Sequence, residues 1–166
     1  MIVVDANFLV LLLDPGAMPH LDRGRERVEF FIQELTRQRT EIVIPAPVVA
    51  EIVAGRIDRI EEIAATLIQS RFFTVQPFDA VIAIETGEMI KKAQDRIPAA
   101  ERLPGWRVKM KYDAMIAATA KVRRAKAVCT DDAGLRAHLR DSGIEIIWID
   151  DLPLPPEDSQ GTFEGV

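Results

Sequence analysis

Apolar positions along this chain follow two alternating patterns: short β-branched runs, and longer stretches with three- and four-residue spacing. The first run, Ile2-Val3-Val4, is apolar throughout, as expected of a central parallel strand buried on both faces, and it ends on Asp5. Phe8 to Leu13 reads as a buried first helix, too short to cross a membrane, for which Asn7 offers a cap and which Asp14-Pro15-Gly16 stops. A loop to about His20 leads into an amphipathic helix from about Asp22 to Arg39, with Val28, Phe31, Ile32 and Leu35 on one face. Glu41 to Ile44 is a second strand, ended by Pro45-Ala46-Pro47. Pro47 suits the first turn of the next helix, whose buried arc is Val48, Val49, Ile52 and Val53. A helix from about Ile57 to Gln69, a strand Phe72 to Val75 and a long helix from Asp79 to about Arg96 follow. Ala99 to Lys111, with Pro104 and Gly105, reads as a loop holding at most a short turn. The chain finishes with a helix from about Tyr112 to Arg124, a strand Ala127 to Thr130, a helix Asp132 to Asp141 and a strand Ile144 to Ile149. Five strands with helical crossovers predict an α/β fold of three layers, α/β/α, around a five-stranded parallel sheet.

Composition fits one domain: 166 residues, 48% hydrophobic and 28% charged, are globular rather than disordered. The domain is expected over 1–152, with the proline-rich, acidic segment 153–166 as a loosely ordered tail. The only cysteine, Cys129, sits in an apolar run and reads as a buried structural thiol. With no basic leader and no long apolar segment, the expected location is cytoplasmic. A formal charge of −5 argues against coating nucleic acid by bulk electrostatics.

The acids carry the candidate chemistry. Asp5 falls at the carboxyl end of the first strand, the edge where open α/β sheets build their sites, although capping the first helix would also explain it. Glu51 lies at the border of the apolar arc of its helix, either in solvent or pointing along that edge. Asp113 opens an alanine-rich helix, where a first-turn carboxylate also complements the dipole. Asp131 and Asp132 follow the fourth strand, and a cap needs only one of them. Carboxylates crowded on one rim repel one another unless a cation sits between them, and hard oxygen donors favour Mg²⁺ or Mn²⁺ over zinc.

These residues resemble the PIN-domain nucleases, and in particular the VapC-type toxins of toxin-antitoxin pairs. The resemblance covers the chain to about Leu152. It rests on Val3-Val4-Asp5-Ala6-Asn7, Ile44 to Glu51 (IPAPVVAE), Tyr112 to Ala118 (YDAMIAA) and Cys129-Thr130-Asp131-Asp132, in that order. It implies metal-binding acids at Asp5, Glu51 and Asp113 with a fourth at Asp131 or Asp132. The family's spacing favours Asp132, and Leu135 stands where an aromatic is common. Asn7 and Thr130 match supporting polar positions. The implied activity is metal-dependent endonucleolytic hydrolysis of RNA, with a polarised phosphodiester, an activated water and Glu51 orienting the nucleophile. A small antitoxin and a homodimer partner are implied too, for which exposed apolar residues on the helices Asp22 to Arg39 or Ile57 to Gln69 are candidates.

Between Gly105 and Lys126, seven basic residues face the single acid Asp113. Arg107, Lys109 and Lys111 lead into Asp113 and are candidates to steer phosphate, whereas Lys121 to Lys126 complement a helix carboxyl end. Arg23, Arg25 and Arg27 read as a solvated face. Trp106 either stacks on a base or anchors its loop. His20 and His138 lack a Ser or Cys partner, so a hydrolase triad is poorly supported. Other readings stay open: an RNA-processing protein that is not a toxin, an RNA-binding protein without hydrolysis, a receiver-like phosphoacceptor module, or a dehalogenase-type phosphatase. The last two want a second acid near Asp5 that this chain lacks.

Overall fold

The computed structural model describes residues 1–14, 21–68, 70–96, 98 and 104–156. His20, Gln69, Ala99 to Leu103 and the tail from Glu157 lie outside the described residues. The elements run β1 (Ile2–Val4), α1 (Ala6–Leu13), α2 (Gly24–Arg37), β2 (Ile42–Pro45), α3 (Ala46–Gly55), a single 3₁₀ turn (Ile57–Arg59), α4 (Ile60–Ile68), β3 (Phe73–Gln76), α5 (Ala80–Arg96), α6 (Trp106–Val122), β4 (Ala127–Cys129), α7 (Ala133–Leu139) and β5 (Glu145–Ile147).

The five strands form one parallel sheet in the order β3-β2-β1-β4-β5. The β-branched run of β1 earns its central place by being apolar on both faces: Val3 and Val4 are wholly buried, and Val3 pairs with Val43 on one side and Val128 on the other. The chain moves outward from β1 through β2 to β3, then returns to β4 on the opposite flank. With right-handed crossovers this puts α1 to α4 on one face and α5 to α7 on the other, matching the packing of α1 on α2 and α3, and of α6 on α5 and α7. The reversal falls between β1 and β4, and the crevice at the carboxyl ends of such a pair is where open α/β sheets bind ligands.

Two local expectations change. Asp5, not Asn7, caps α1: its Oδ1 accepts the Phe8 N–H at 3.1 Å, the helix starts at Ala6, and Asn7 is half-buried in the first turn. The segment 106–111 is helical rather than loop. Gly105, at φ 78°, takes the left-handed conformation that turns the chain into α6 at Trp106, so Asp113 sits two turns inside the helix. The alanine pattern does what its small side chains allow, since Ala114, Ala117, Ala118 and Ala120 are fully buried where α6 meets its neighbours. Past β5 the core still reaches Ile149 and Leu152, both buried, and the Leu152 carbonyl accepts a hydrogen bond from Arg27 Nη1. Among the described residues no helix is long and apolar enough to cross a membrane.

Candidate active site

The carboxyl ends of β1 and β4 are tied together by one hydroxyl. Thr130, wholly buried, donates from Oγ1 to Asp5 Oδ2 at 2.5 Å and accepts the Asp132 N–H at 2.9 Å. Asp5 is 4% exposed and both its oxygens are engaged. Burial pushes its pKa up to about 6; the Thr130 and Phe8 hydrogen bonds oppose this, and the charges of Asp131 and Asp132 add to it. Cys129 is buried as expected, and burial next to Asp5 raises its thiol pKa.

The adjacent aspartates after β4 diverge. Asp131 Oδ1 accepts the Ile149 N–H at 2.9 Å, which turns it toward the end of β5 and the charges of Asp150, Arg136 and Asp151. Asp132 is the N-cap of α7: its Oδ1 accepts from the N–H of Gly134 at 2.6 Å and of Leu135 at 3.2 Å. Its Oδ2 lies 2.9 Å from Lys109 Nζ. Burial works against its charge, but Lys109 and the two N–H donors outweigh it and hold the carboxyl below its ordinary range.

Asp113 approaches from α6 and is 8% exposed. Burial raises its pKa to about 7, Asp132, Glu51 and Asp5 push the same way, and Lys109 opposes them. Glu51 is exposed on α3, and partial burial followed by the charge of Asp132 raises its pKa, with Lys109 again opposing. Carboxylates from β1, α3, α6 and the β4–α7 turn therefore share one electrostatic neighbourhood. Among the described residues no three Asp, Glu, His or Cys groups stand ready at metal-ligand distances. Among the described residues, the cation acting on Asp132, Asp113 and Glu51 is Lys109.

Two features escaped the sequence reading. Gly134 touches the site through its missing side chain: a Cβ there would lie inside the van der Waals shell of Asp113 Oδ2 and 3.0 Å from Asp132 Oδ1. A glycine in the first turn of a helix, two residues after a capping acid, was the available signal. The sequence groups Lys109 with Arg107 and Lys111 as phosphate guides because all three lead into Asp113, and as a loop they would share one surface. On a helix, Lys109 and Asp113 share a face while Lys111 turns away. Arg107 is exposed with its guanidinium 5.6 Å from the ring centre of half-buried Trp106. Arg23 and Arg25 pair with Glu26 and Glu29 and Lys121 pairs with Glu85, in keeping with a solvated face and a helix-end contact. His138 is half-buried against the Met110 backbone, and burial lowers its pKa.

Beside Asp113 a cleft of about 860 Å³ opens between α5, α6 and α7, with Trp106, Met110 and Met89 as apolar lining and Lys92, Arg96 and Arg140 among its cations. A second cleft of about 920 Å³ lies between α1, α2 and α4, lined by Leu12, Leu13, Ile32, Phe72 and Phe73.

A parallel sheet with acids gathered at its topological switch point places the chain among α/β domains with a carboxylate-lined rim. A family model for the PIN domain matches residues 2–138, and the chain belongs to that family, whose nucleases hydrolyse nucleic acids. A search of curated proteins found no match. Among solved structures the chain is similar to FitAB bound to the IR36 DNA fragment, at 21% identity and TM-score 0.62 over 92% of this chain and 98% of that one. It is also similar to VapBC2 from Rickettsia felis bound to a DNA fragment from their promoter, at 18% identity and TM-score 0.62 over 89% and 98%. VapC20 of Mycobacterium tuberculosis, described as a sarcin-ricin loop cleaving toxin, matches at 16% identity and TM-score 0.57 over 82% and 94%. At these identities the likeness is one of fold.

Proposed function

We propose that the chain is a Mg²⁺- or Mn²⁺-dependent endoribonuclease that hydrolyses RNA phosphodiester bonds, and that it is the toxin of a toxin-antitoxin pair. The observation that carries this reading is the convergence of acids from separate elements: the Thr130 hydroxyl joins Asp5 to the Asp132 N–H, and Gly134 lies against both Asp113 Oδ2 and Asp132 Oδ1, with Glu51 near enough for its charge to act on Asp113. The donor set suits a hard divalent ion: it is all oxygen, and among the described residues its negative charge is met by Lys109.

In this reading Asp5, Asp113 and Asp132 hold the ion, with Asp131 the lesser candidate because its bond to the Ile149 N–H turns it toward the charges of Asp150, Arg136 and Asp151. When bound, a divalent cation would polarise the phosphodiester and lower the pKa of a water for in-line attack. Glu51, more exposed than the other three, orients that water from the solvent side. Thr130 fixes the rotamer of Asp5, and Asn7 supports the rim from the first turn of α1. Lys109 meets the RNA backbone beside Asp113, while Arg107 and Lys111, one turn apart on the other face of α6, contact it farther from the acids.

RNA as substrate is supported by the family and by the description of VapC20 as a toxin that cleaves the sarcin-ricin loop. An antitoxin partner is supported by the VapBC2 and FitAB likenesses. The cleft between α1, α2 and α4 offers it an apolar floor with Arg25, Arg37 and Arg59 at hand. A homodimer is part of the same reading, and Val81 and Ile84, 61% and 68% exposed on α5, give it an apolar contact. The test is incubation with a panel of structured RNAs in Mg²⁺ or Mn²⁺, with EDTA and Asp113→Asn controls. Internal cuts that vanish in both controls are expected; cleavage that survives either control, or no cleavage at all, refutes the proposal.

A further inference from the structure

Lys109 does something that a phosphate guide does not. Its ammonium lies 2.9 Å from Asp132 Oδ2, the oxygen left over after Oδ1 has capped α7. One helical turn separates it from Asp113 on the same face, and its charge acts on Asp113 and Glu51 as well. Three carboxylates that would otherwise repel one another thus share a single cation. The side chain is 66% exposed, so this cation can leave its place without opening the core. A lysine also suits the task, being a compact point charge on a flexible stem rather than a rigid fork.

We propose that Lys109 is a tethered counter-ion: it holds the acids together before a divalent ion arrives, competes with that ion for Asp132, and is displaced from it on binding. This rests on the metal-dependent reading above and adds to it a residue that sets metal affinity through Asp132. Lys109 is a positioning residue here.

The experiment is calorimetric titration of Mn²⁺ into the metal-free protein, the wild type beside Lys109→Met and Lys109→Arg. Removing the competitor in Lys109→Met tightens Mn²⁺ binding about fivefold, the change that a partly exposed ion pair supplies. Lys109→Arg, which keeps the charge, stays near the wild type. Metal-free Lys109→Met melts below the wild type and regains the difference in saturating Mn²⁺. A second measurement needs no variant: the rate at which an acylating reagent modifies the Lys109 amine in the wild type, mapped by mass spectrometry, rises when Mg²⁺ is added. Equal or weaker Mn²⁺ binding by Lys109→Met, or an acylation rate indifferent to Mg²⁺, overturns the inference while leaving the nuclease reading intact. Failure of the wild type and both variants to bind Mn²⁺ overturns both.

Discussion

Gly134→Ala puts one methyl group between two acids. The added Cβ falls inside the van der Waals shell of Asp113 Oδ2 and 3.0 Å from Asp132 Oδ1, and Asp132 is fixed by two hydrogen bonds from the first turn of α7. Asp113 must therefore give way. The backbone itself accepts alanine, since Gly134 lies in a right-handed helix, where alanine is favoured over glycine by up to about 1 kcal/mol. That gain offsets the cost of turning one buried carboxylate, so net stability stays within about 1 kcal/mol, or roughly 2–4 °C in melting temperature. Activity has no such compensation: displacing a reacting group by about 1 Å costs on the order of 100-fold in rate. The assay is single-turnover RNA cleavage in saturating Mn²⁺ beside a thermal melt of the same preparation. Cleavage within about threefold of the wild type, in a variant that melts normally, would refute the claim that Asp113 acts from the position Gly134 leaves open.

Other outcomes follow from the same contacts. Thr130→Val removes the hydroxyl that serves Asp5 and the Asp132 N–H and costs about 1–3 kcal/mol in urea unfolding, whereas Thr130→Ser recovers most of it. Asp5 and Asp113 are raised from 3.8 to about 6 and about 7, so between pH 4 and 7 the folded state binds more protons than the unfolded one. Stability in EDTA consequently rises as pH falls from about 7 toward 5, and a urea midpoint that is flat or falls over that window contradicts the sign. Asp113→Asn removes a buried charge, so it raises the melting temperature in EDTA at pH 8 and abolishes RNA cleavage in saturating Mn²⁺; a lower melting temperature would place the stabilising role of that carboxylate above its repulsion.

The legible part of the fold was the part decided by burial on both faces. Ile2-Val3-Val4, Ile42-Val43-Ile44 and Ala127-Val128-Cys129 announce central parallel strands because nothing polar interrupts them, and all lie wholly or almost wholly buried. The start of α6 was illegible for an opposite reason. Pro104-Gly105 is loop chemistry by composition, yet a glycine at positive φ is also how a chain turns abruptly into a helix, and Trp106, Val108 and Met110 alone do not distinguish the two. That one boundary moved Lys109 from a loop leading to the site onto the face that carries Asp113.

At the site, capping and catalysis are not rival roles for an acid, because a carboxylate has two oxygens. Asp132 gives Oδ1 to the N–H groups of α7 and keeps Oδ2 for a cation; Asp5 gives Oδ1 to α1 and Oδ2 to the Thr130 hydroxyl. Because these acids cap α1 and α7, the amino ends of both helices point at the rim where charge is most crowded, and each carries partial positive charge. The caps therefore reduce the repulsion that gathering the acids creates, and they lock the rotamers that a metal site needs. Asp113 lacks this help, being two turns inside α6, and burial together with the charge of Asp132 raises its pKa to about 7. Under the proposed metal-dependent reading it is the acid that would lean most on a bound divalent ion, and its neutralisation is expected to cost the fold least and the chemistry most.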